Sequence, residues 1–336
     1  MRIAVDGMGG DHAPLEIIKG CIDALNESDI EIVLVGLASN LEEILKDFTY
    51  DRSRLHIKNA SEIIMNTDQP IKAVRQKKDS SMVVGLDLVK NKEVDAFVSA
   101  GNTGALLTGS LLRIGRIKGI DRPAIATVYP TKKGISLLID AGANTICKPQ
   151  NLMDFALMGS IYAEKVMGID NPLIGLINVG TEEIKGNELM KESYEQLSSS
   201  SLNFHGNVEA REIPNGIVDV IVCDGFVGNV ILKLTEGVAM TLMSMLKDLF
   251  GKTILSKIGA ALLLPALKEF KRNLDYTEYG GAPLLGINGT VIKAHGSSNA
   301  NAIRNAIKQG KVIVEKEVVQ IINKEISKIG DEEIHE

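Results

Sequence analysis

Six times along this 336-residue chain an apolar, β-branched run stops at a small polar residue and a glycine, and a helix-like stretch soon follows. The junctions are Val5-Asp6-Gly7, Val98-Ser99-Ala100-Gly101-Asn102-Thr103-Gly104, Ile139-Asp140-Ala141-Gly142, Asn178-Val179-Gly180-Thr181, Cys223-Asp224-Gly225 and Ala294-His295-Gly296-Ser297-Ser298. Strands that feed helices in this way build crossovers, so the pattern predicts an α/β fold: three layers, with helices on both faces of a mostly parallel sheet. In a parallel sheet such junctions all open on one edge. There glycine lets backbone approach a ligand, and free N–H groups at helix starts attract anions. The expected guest is a phosphate or a carboxylate.

Read in order, strands are expected near residues 3, 31, 55, 94–99, 124–129, 134–140, 173–179, 203–209 and 217–223. Helices are expected from about 13 and 40, across 70–91, and at 102–113, 151–167, 187–198 and 227–249, followed by a Leu/Met-rich helical pair at about 240–272. Asn288-Gly289 between Leu284-Leu285-Gly286-Ile287 and Thr290-Val291-Ile292 reads as a tight hairpin turn. A long helix from about Asn299 is expected to end in an acidic tail at 331–336. The junctions recur at unequal intervals, so no solenoid is implied. Residues 1–330 are read as one two-lobed domain.

Composition narrows the function. A hydrophobic content of 45% supplies a large core, and a formal net charge of −6 with no long basic stripe argues against nucleic acid as a partner. Three widely spaced cysteines, Cys21, Cys147 and Cys223, build neither a disulfide framework nor a CxxC zinc site. Met1 runs straight into the first strand with no signal-peptide pattern, and the longest uncharged apolar run, Ile258 to Leu264, is far short of the about 18 residues a bilayer requires. A cytoplasmic protein without a transmembrane helix is expected, with peripheral contact to a membrane left open.

The first loop, Asp6-Gly7-Met8-Gly9-Gly10-Asp11-His12, resembles a dinucleotide fingerprint but fails its spacing. His12 stands where the third glycine belongs, and Val35-Gly36-Leu37-Ala38 replaces the acidic ribose ligand. Gly251-Lys252-Thr253 lacks the upstream glycine of a P-loop and reads as a helix end. At the second junction Ser99, Gly101, Asn102, Thr103 and Gly104 offer an oxyanion site at a helix start, or a tight turn capped by Asn102 or Thr103. At the fourth, Lys185 sits among turn residues after Gly180 and Thr181. It is either a point charge for phosphate or a surface lysine. At the fifth, Asp224, Gly225, Gly228 and Asn229 open a long helix, and Asn229 either donates to a developing oxyanion or caps. Asp6, Gly9, Gly10, Asp140, Gly296 and Ser297 complete the candidate phosphate-binding set. His12 and His295 bind or relay protons, or satisfy local backbone. No GxSxG elbow and no metal-ligand spacing of histidines is present, so no metal and no cofactor is expected. Cys223 reads as a core residue.

The stretch Met240–Leu246 and Ile258–Pro265, which includes Leu262, Leu263 and Leu264, is dense in Leu, Met and Ala, with Lys252, Lys257, Lys268, Lys271 and Arg272 around it. It suits a dimer interface, a groove for an aliphatic ligand or a surface that touches lipid. A second basic cluster, Arg113, Arg116, Lys118 and Arg122, suits an acidic protein or a solvated loop.

Taken together, Val5-Asp6-Gly7-Met8-Gly9-Gly10-Asp11-His12-Ala13-Pro14, Ser99-Ala100-Gly101-Asn102-Thr103-Gly104-Ala105, Gly115-Arg116-Ile117-Lys118-Gly119-Ile120-Asp121-Arg122-Pro123, Asn178-Val179-Gly180-Thr181-Glu182-Glu183-Ile184-Lys185-Gly186-Asn187, Gly225-Phe226-Val227-Gly228-Asn229 and Lys293-Ala294-His295-Gly296-Ser297-Ser298 closely resemble the bacterial acyl-acyl carrier protein:phosphate acyltransferase family, over nearly the whole chain. Gly7 stands where that family often has alanine. The resemblance implies a fold like the isocitrate and isopropylmalate dehydrogenases and phosphotransacetylases, and a homodimer. It implies transfer of a fatty acyl group from the carrier-protein thioester to inorganic phosphate, for phospholipid synthesis. It also implies a membrane glycerol-3-phosphate acyltransferase as partner, and catalytic roles for Lys185 and Asn229. The residues agree with such chemistry, since phosphate is already a nucleophile and a thioester already activated. Positioning and electrostatics then suffice, with junction N–H groups and Lys185 on phosphate and Asn229 on the carbonyl oxygen. A coenzyme A-dependent short-chain acyltransferase, an oxidoreductase of the related dehydrogenase fold and a non-catalytic acyl or carrier-protein scaffold are the alternatives.

Overall fold

The computed structural model describes residues 1–274 and 280–335, with side-chain surroundings over 1–267 and 280–328. The elements in chain order are β1 (Arg2–Asp6), α1 (Leu15–Glu27), β2 (Glu31–Gly36), α2 (Ala38–Leu45), β3 (Leu55–Asn59), α3 (Pro70–Gln76), α4 (Ser81–Lys90), β4 (Ala96–Ser99), α5 (Thr103–Arg113), β5 (Ala124–Thr131) and β6 (Gly134–Ile139). Then come α6 (Pro149–Lys165), β7 (Ile174–Asn178), α7 (Glu188–Ser199), β8 (Phe204–Glu209), β9 (Val220–Val222), α8 (Gly225–Gly251), α9 (Ile254–Leu274), β10 (Ala282–Leu285), β11 (Thr290–Lys293), α10 (Ala300–Glu315) and α11 (Val318–His335). The strands form one mixed sheet in the order β3-β2-β1-β4-β11-β10-β5-β6-β9-β7-β8.

Why these runs become central strands is plain from burial. Every residue of β4 and of β7 is buried, as continuous apolar runs must be when helices cover both faces. On one face Ile3, Val5, Ile32, Val98, Ile292, Leu137 and Val222 pack with α1, α10, α6 and α7. On the other, Ala4, Val35, Phe97, Leu138 and Ile221 pack with α3, α4 and α5. Each core runs across both halves of the sheet, so the chain is three layers deep throughout. A bridge joins the halves: Gln309 Nε2 of α10 donates to the Tyr162 hydroxyl of α6 at 2.7 Å, and Gln309 Oε1 accepts from Gly281 N at 2.8 Å.

One expectation fails in an instructive way. The strands β3, β2, β1, β4 and β11 are mutually parallel, and so are β6, β9, β7 and β8, but three antiparallel pairings, β11–β10, β10–β5 and β5–β6, separate the groups. The two parallel groups therefore run in opposite senses, and their junctions do not share one edge. The register shows what happens instead. Pro283 faces Ile292, Leu284 faces Ile125, and Ala126 faces Ile139, so the C-terminal end of β6 lies nearly level with the C-terminal end of β11. The two halves of the sheet point their strand ends at each other, and four of the six junctions meet across a cleft between them.

Three smaller corrections follow. The expected single C-terminal helix is two, α10 and α11, broken at Lys316 and Glu317, where Glu317 takes a φ of 52°. The helical backbone also continues through 331–335. Counting uncharged runs understated α8, which at 27 residues is, among the described residues, the one helix long and apolar enough to cross a membrane. Lys233 and Glu236 interrupt its run, and both line the cleft, which ties the first turns of α8 to the sheet.

Candidate active site

The cleft encloses about 340 Å³. Its walls come from four of the six junctions and the elements beside them: Thr103 at the start of α5, Ala141 and Gly142 after β6, Asn229, Lys233 and Glu236 on α8, and Lys293, His295 and Ser298 after β11. Ile125, Thr127 and Val128 of β5 and Gly280 to Ala282 form the floor where the two halves of the sheet join. Helices α5, α8 and α10 begin beside this space, so the positive ends of their dipoles favour a negative guest. Most of their first-turn N–H groups are already held, by Asn102 on Ala105 N, by Asp224 on Phe226 N and Val227 N, and at α10 by Glu16 on Ala300 N and Asn299 on Ala302 N.

The junction carboxylates hold the walls rather than the guest. Asp6 is buried, accepting from Ser99 Oγ at 2.6 Å and from Met8 N at 3.2 Å. Burial pushes its pKa up, against the lowering effect of these bonds. Ser99 Oγ in turn accepts from Gly101 N at 3.1 Å. Gly9 closes this knot: a Cβ there would stand 2.5 Å from Asp6 Oδ2 and 2.7 Å from Gly101 N. The first loop is also tied to the sixth junction, since Asp11 N donates to Gly296 O at 2.8 Å and Gly10 lies against the same oxygen. Asp140, fully buried, collects N–H groups from Ile125, Gly142, Ala143 and Asn144, plus the Asn144 side chain at 2.9 Å. Asp224 caps α8, its Oδ1 accepting from Phe226 N and Val227 N at 2.9 Å. Gly225 N donates to Asn144 O at 2.7 Å, seating the helix on the Asp140 loop.

Other candidates divide between caps and free groups. Asn102 caps α5 through Ala105 N at 2.9 Å and donates to Asn66 O at 3.1 Å, so both ends of its amide are engaged. Thr103 is exposed at the cleft, and Gly104 lies against Pro70. His12 is exposed outside the cleft lining. His295 Nδ1 shares a hydrogen with Ser297 Oγ at 2.8 Å, and Nε2 approaches Lys233 Nζ at 3.4 Å. Burial first and Lys233 second push the imidazole pKa down, which keeps it neutral near pH 7. Asn229 projects from the second turn of α8 beside Gly142, exposed and without a hydrogen bond among the described residues.

Lys185 lies elsewhere. The loop Gly180–Asn187 is mostly exposed, the Lys185 carbonyl accepts from Asn178 Nδ2 at 3.0 Å, and its ammonium approaches Glu182 at 3.9 Å. Neither Lys185, Gly180 nor Thr181 lines the cleft. The cations that do are Lys233, paired with Glu236 at 2.7 Å, and Lys293. Sequence reasoning passed over both, although a lysine closing the apolar run Thr290-Val291-Ile292 next to a glycine junction was a usable signal.

Away from the cleft, α8 and α9 expose Leu242, Met245, Leu249, Ile254, Leu255 and Ile258, together with Leu262 at 79%, Leu263 at 51% and Leu264 at 49%. Lys252 and Lys257 are exposed beside them, while Lys268, Lys271 and Arg272 fall outside the residues whose side chains are described. In the second basic cluster Arg113 pairs with Asp87, and Arg116 and Arg122 both reach Asp121, leaving Lys118 as an exposed charge.

The family model described as "Fatty acid synthesis protein" matches residues 1–321. The chain is 57% identical over 333 residues to a "Phosphate acyltransferase" of Alkaliphilus oremlandii, covering 99% of each chain. In fold it is similar to a phosphotransacetylase from Streptococcus pyogenes, with a TM-score of 0.65 at 17% identity over 95% of this chain and 94% of that one. It is also similar to a 4-hydroxythreonine-4-phosphate dehydrogenase from Klebsiella pneumoniae, with a TM-score of 0.52 at 14% identity over 93% and 99%.

Proposed function

This chain belongs to the fatty acid synthesis protein family, and from that membership we propose its reaction in full: a long-chain fatty acyl group passes from an acyl carrier protein thioester to inorganic phosphate. The chain is a phosphate acyltransferase. A phosphate oxygen attacks the thioester carbonyl carbon, the C–S bond breaks, and the sulfur leaves as thiol with the proton given up by phosphate. The products are an acyl phosphate and free carrier.

The observation that carries this reading is the convergence of three helix starts and two lysines on one cleft, with the unengaged Asn229 amide at its wall. Such a site binds and orients an anion and needs no nucleophile of its own, which is what phosphate and a thioester require. Lys185 and Asn229 are the catalytic pair in this proposal: Asn229 donates to the oxygen on which charge develops, and Lys185, which does not line the cleft, has the phosphate role that the family resemblance implies. The test supplies acyl carrier protein thioester and phosphate and follows hydroxylamine-trappable acyl phosphate alongside liberated thiol. Equal release of both supports the reading. Thiol release without acyl hydroxamate, or product from short acyl-coenzyme A alone, overturns it.

The exposed leucines of α8 and α9 belong to the same proposal. Each buried CH₂ of a fatty chain is worth about 0.8 kcal/mol, so an aliphatic substrate and its amphiphilic product favour an apolar path. We assign this face to pairing two copies of the chain and to touching the membrane where a glycerol-3-phosphate acyltransferase takes up the product. A Leu262→Glu, Leu263→Glu variant is expected to lose most sedimentation with anionic liposomes while keeping its fold. Unchanged lipid binding removes the membrane half of the assignment.

A further inference from the structure

Lys293 ends β11, the strand that closes the first lobe, and it lines the cleft. Its ammonium donates to Ala294 O and, at 3.4 Å, to Ala100 O, and among the described residues no carboxylate lies within 4.0 Å of it. Two carbonyls occupy two of three N–H donors, leaving one for a guest. The charged and titratable groups around it are Asp6 from β1, Asp11 from the first loop, Lys233 and Glu236 from α8, and His295 from its own junction. Asp6 is committed to Ser99 and Met8, and Lys233 to Glu236, so no neighbour neutralises Lys293 by direct contact.

Ser298 supplies the second observation. It lines the same cleft just ahead of α10, is 4% exposed, and its hydroxyl has no hydrogen-bond partner among the described residues. Buried hydroxyls are ordinarily satisfied, so one without a partner behind the wall of a cleft marks where a ligand atom belongs, reached by turning the Ser298 side chain into the cleft.

We propose that Lys293 and Ser298 are the seat of the nucleophilic phosphate, Nζ and Oγ each donating to one of its oxygens at the start of α10. This deepens the reaction proposed above and rests on it. Lys185, outside the cleft lining, is not part of this seat. Burial supports the assignment by pushing the Lys293 pKa down to about 8, so that a bound dianion favours the charge that burial disfavours.

The same phosphate chemistry occurs on the pantetheine arm of a carrier-protein donor, and the test separates the two sources. In Lys293→Met the KM for inorganic phosphate is expected to rise at least tenfold while the KM for the acyl-carrier thioester stays within twofold. Ser298→Ala is expected to raise the phosphate KM severalfold with an unchanged melting temperature, since the hydroxyl has no hydrogen-bond partner among the described residues. Lys293→Arg reads the charge. As pH rises through about 8 the wild-type lysine loses its proton and its phosphate KM climbs, whereas arginine stays charged and its KM stays flat. Phosphate's own ionisation is common to both and cancels in their ratio. Calorimetric titration of inorganic phosphate into the same variants measures the seat apart from turnover. A wild type that binds phosphate but makes no acyl phosphate sinks the reaction and spares the seat. An unchanged phosphate KM in Ser298→Ala together with a parallel pH profile in Lys293→Arg, or a rise confined to the donor KM, overturns the seat itself, even if Lys293→Met fails to fold.

Discussion

Replacing Asn229 with alanine is expected to lower kcat by about 10²–10³-fold, the loss typical of one removed oxyanion donor. The melting temperature should stay where it is. The asymmetry follows from where the residue sits. Its side chain is exposed on the second turn of α8, faces the cleft beside Gly142, and makes no hydrogen bond among the described residues, so truncation opens no cavity and orphans no buried partner there. What disappears is a donor aimed at the thioester oxygen when the attacking phosphate forces charge onto it. Asn229→Asp is the sharper control. It keeps size and shape but replaces the donor with an acceptor and a negative charge, so it should fall at least as far. Steady-state kinetics with circular dichroism on both variants decides the matter, and near wild-type turnover in a folded Asn229→Ala removes the residue from the mechanism.

The second large effect is expected from Gly228→Ala, one position earlier. A Cβ there would stand 1.9 Å from the carbonyl oxygen of Asp140 and 3.0 Å from Cys223 Sγ. Neither neighbour can yield easily, because the Asp140 carboxylate is bound by its own loop and Cys223 is buried. The start of α8 must lift away instead. Overpacking of this kind costs about 1–3 kcal/mol. The same shift carries Asn229 with it, and a displacement of about 1 Å at a reacting group costs on the order of 10²-fold in rate. Gly237→Ala provides the contrast on the same helix. Nothing lies within 4 Å of its added methyl, so that variant should gain about 0.5–1 kcal/mol from helix propensity and keep full activity. Chemical denaturation and turnover of the pair test the argument; equal stability of the two alanine variants would show that α8 is not seated tightly on the Asp140 loop.

These variants bear on how much of the site could be read from the chain alone. Asn229, Thr103 and His295 were legible as residues at strand-to-helix junctions, and all three line the cleft. Asp6, Asp140 and Asp224 looked equally suited to a ligand, yet their oxygens are committed to backbone and side-chain donors of the walls. The ambiguity is chemical: a small polar side chain at a helix start can cap the helix or meet an anion with the same atoms. Lys293 and Ser298 were missed for the opposite reason. Their place at a glycine junction was a signal, but one lysine and one serine of a pair do not state a role, and theirs comes from a wall that leaves one without a carboxylate and the other without a partner among the described residues.

Local sequence determined the elements, because burial of continuous apolar runs and the chemistry of caps and turns act over a few neighbouring residues. It also determined the identity of the family, through motifs whose spacing survives without reference to the fold. Only the tertiary structure decided where those motifs go. Three antiparallel pairings reverse one half of the sheet against the other. The pairs β10–β11 and β5–β6 are local, the first of them the hairpin that Asn288-Gly289 announces, but the pairing that joins them, Leu284 beside Ile125, links segments far apart in the chain. Outside such hairpins, nothing in a strand's own residues states which neighbour it will take, or in which sense. That choice turned a single rim into two facing ones and made a cleft between them.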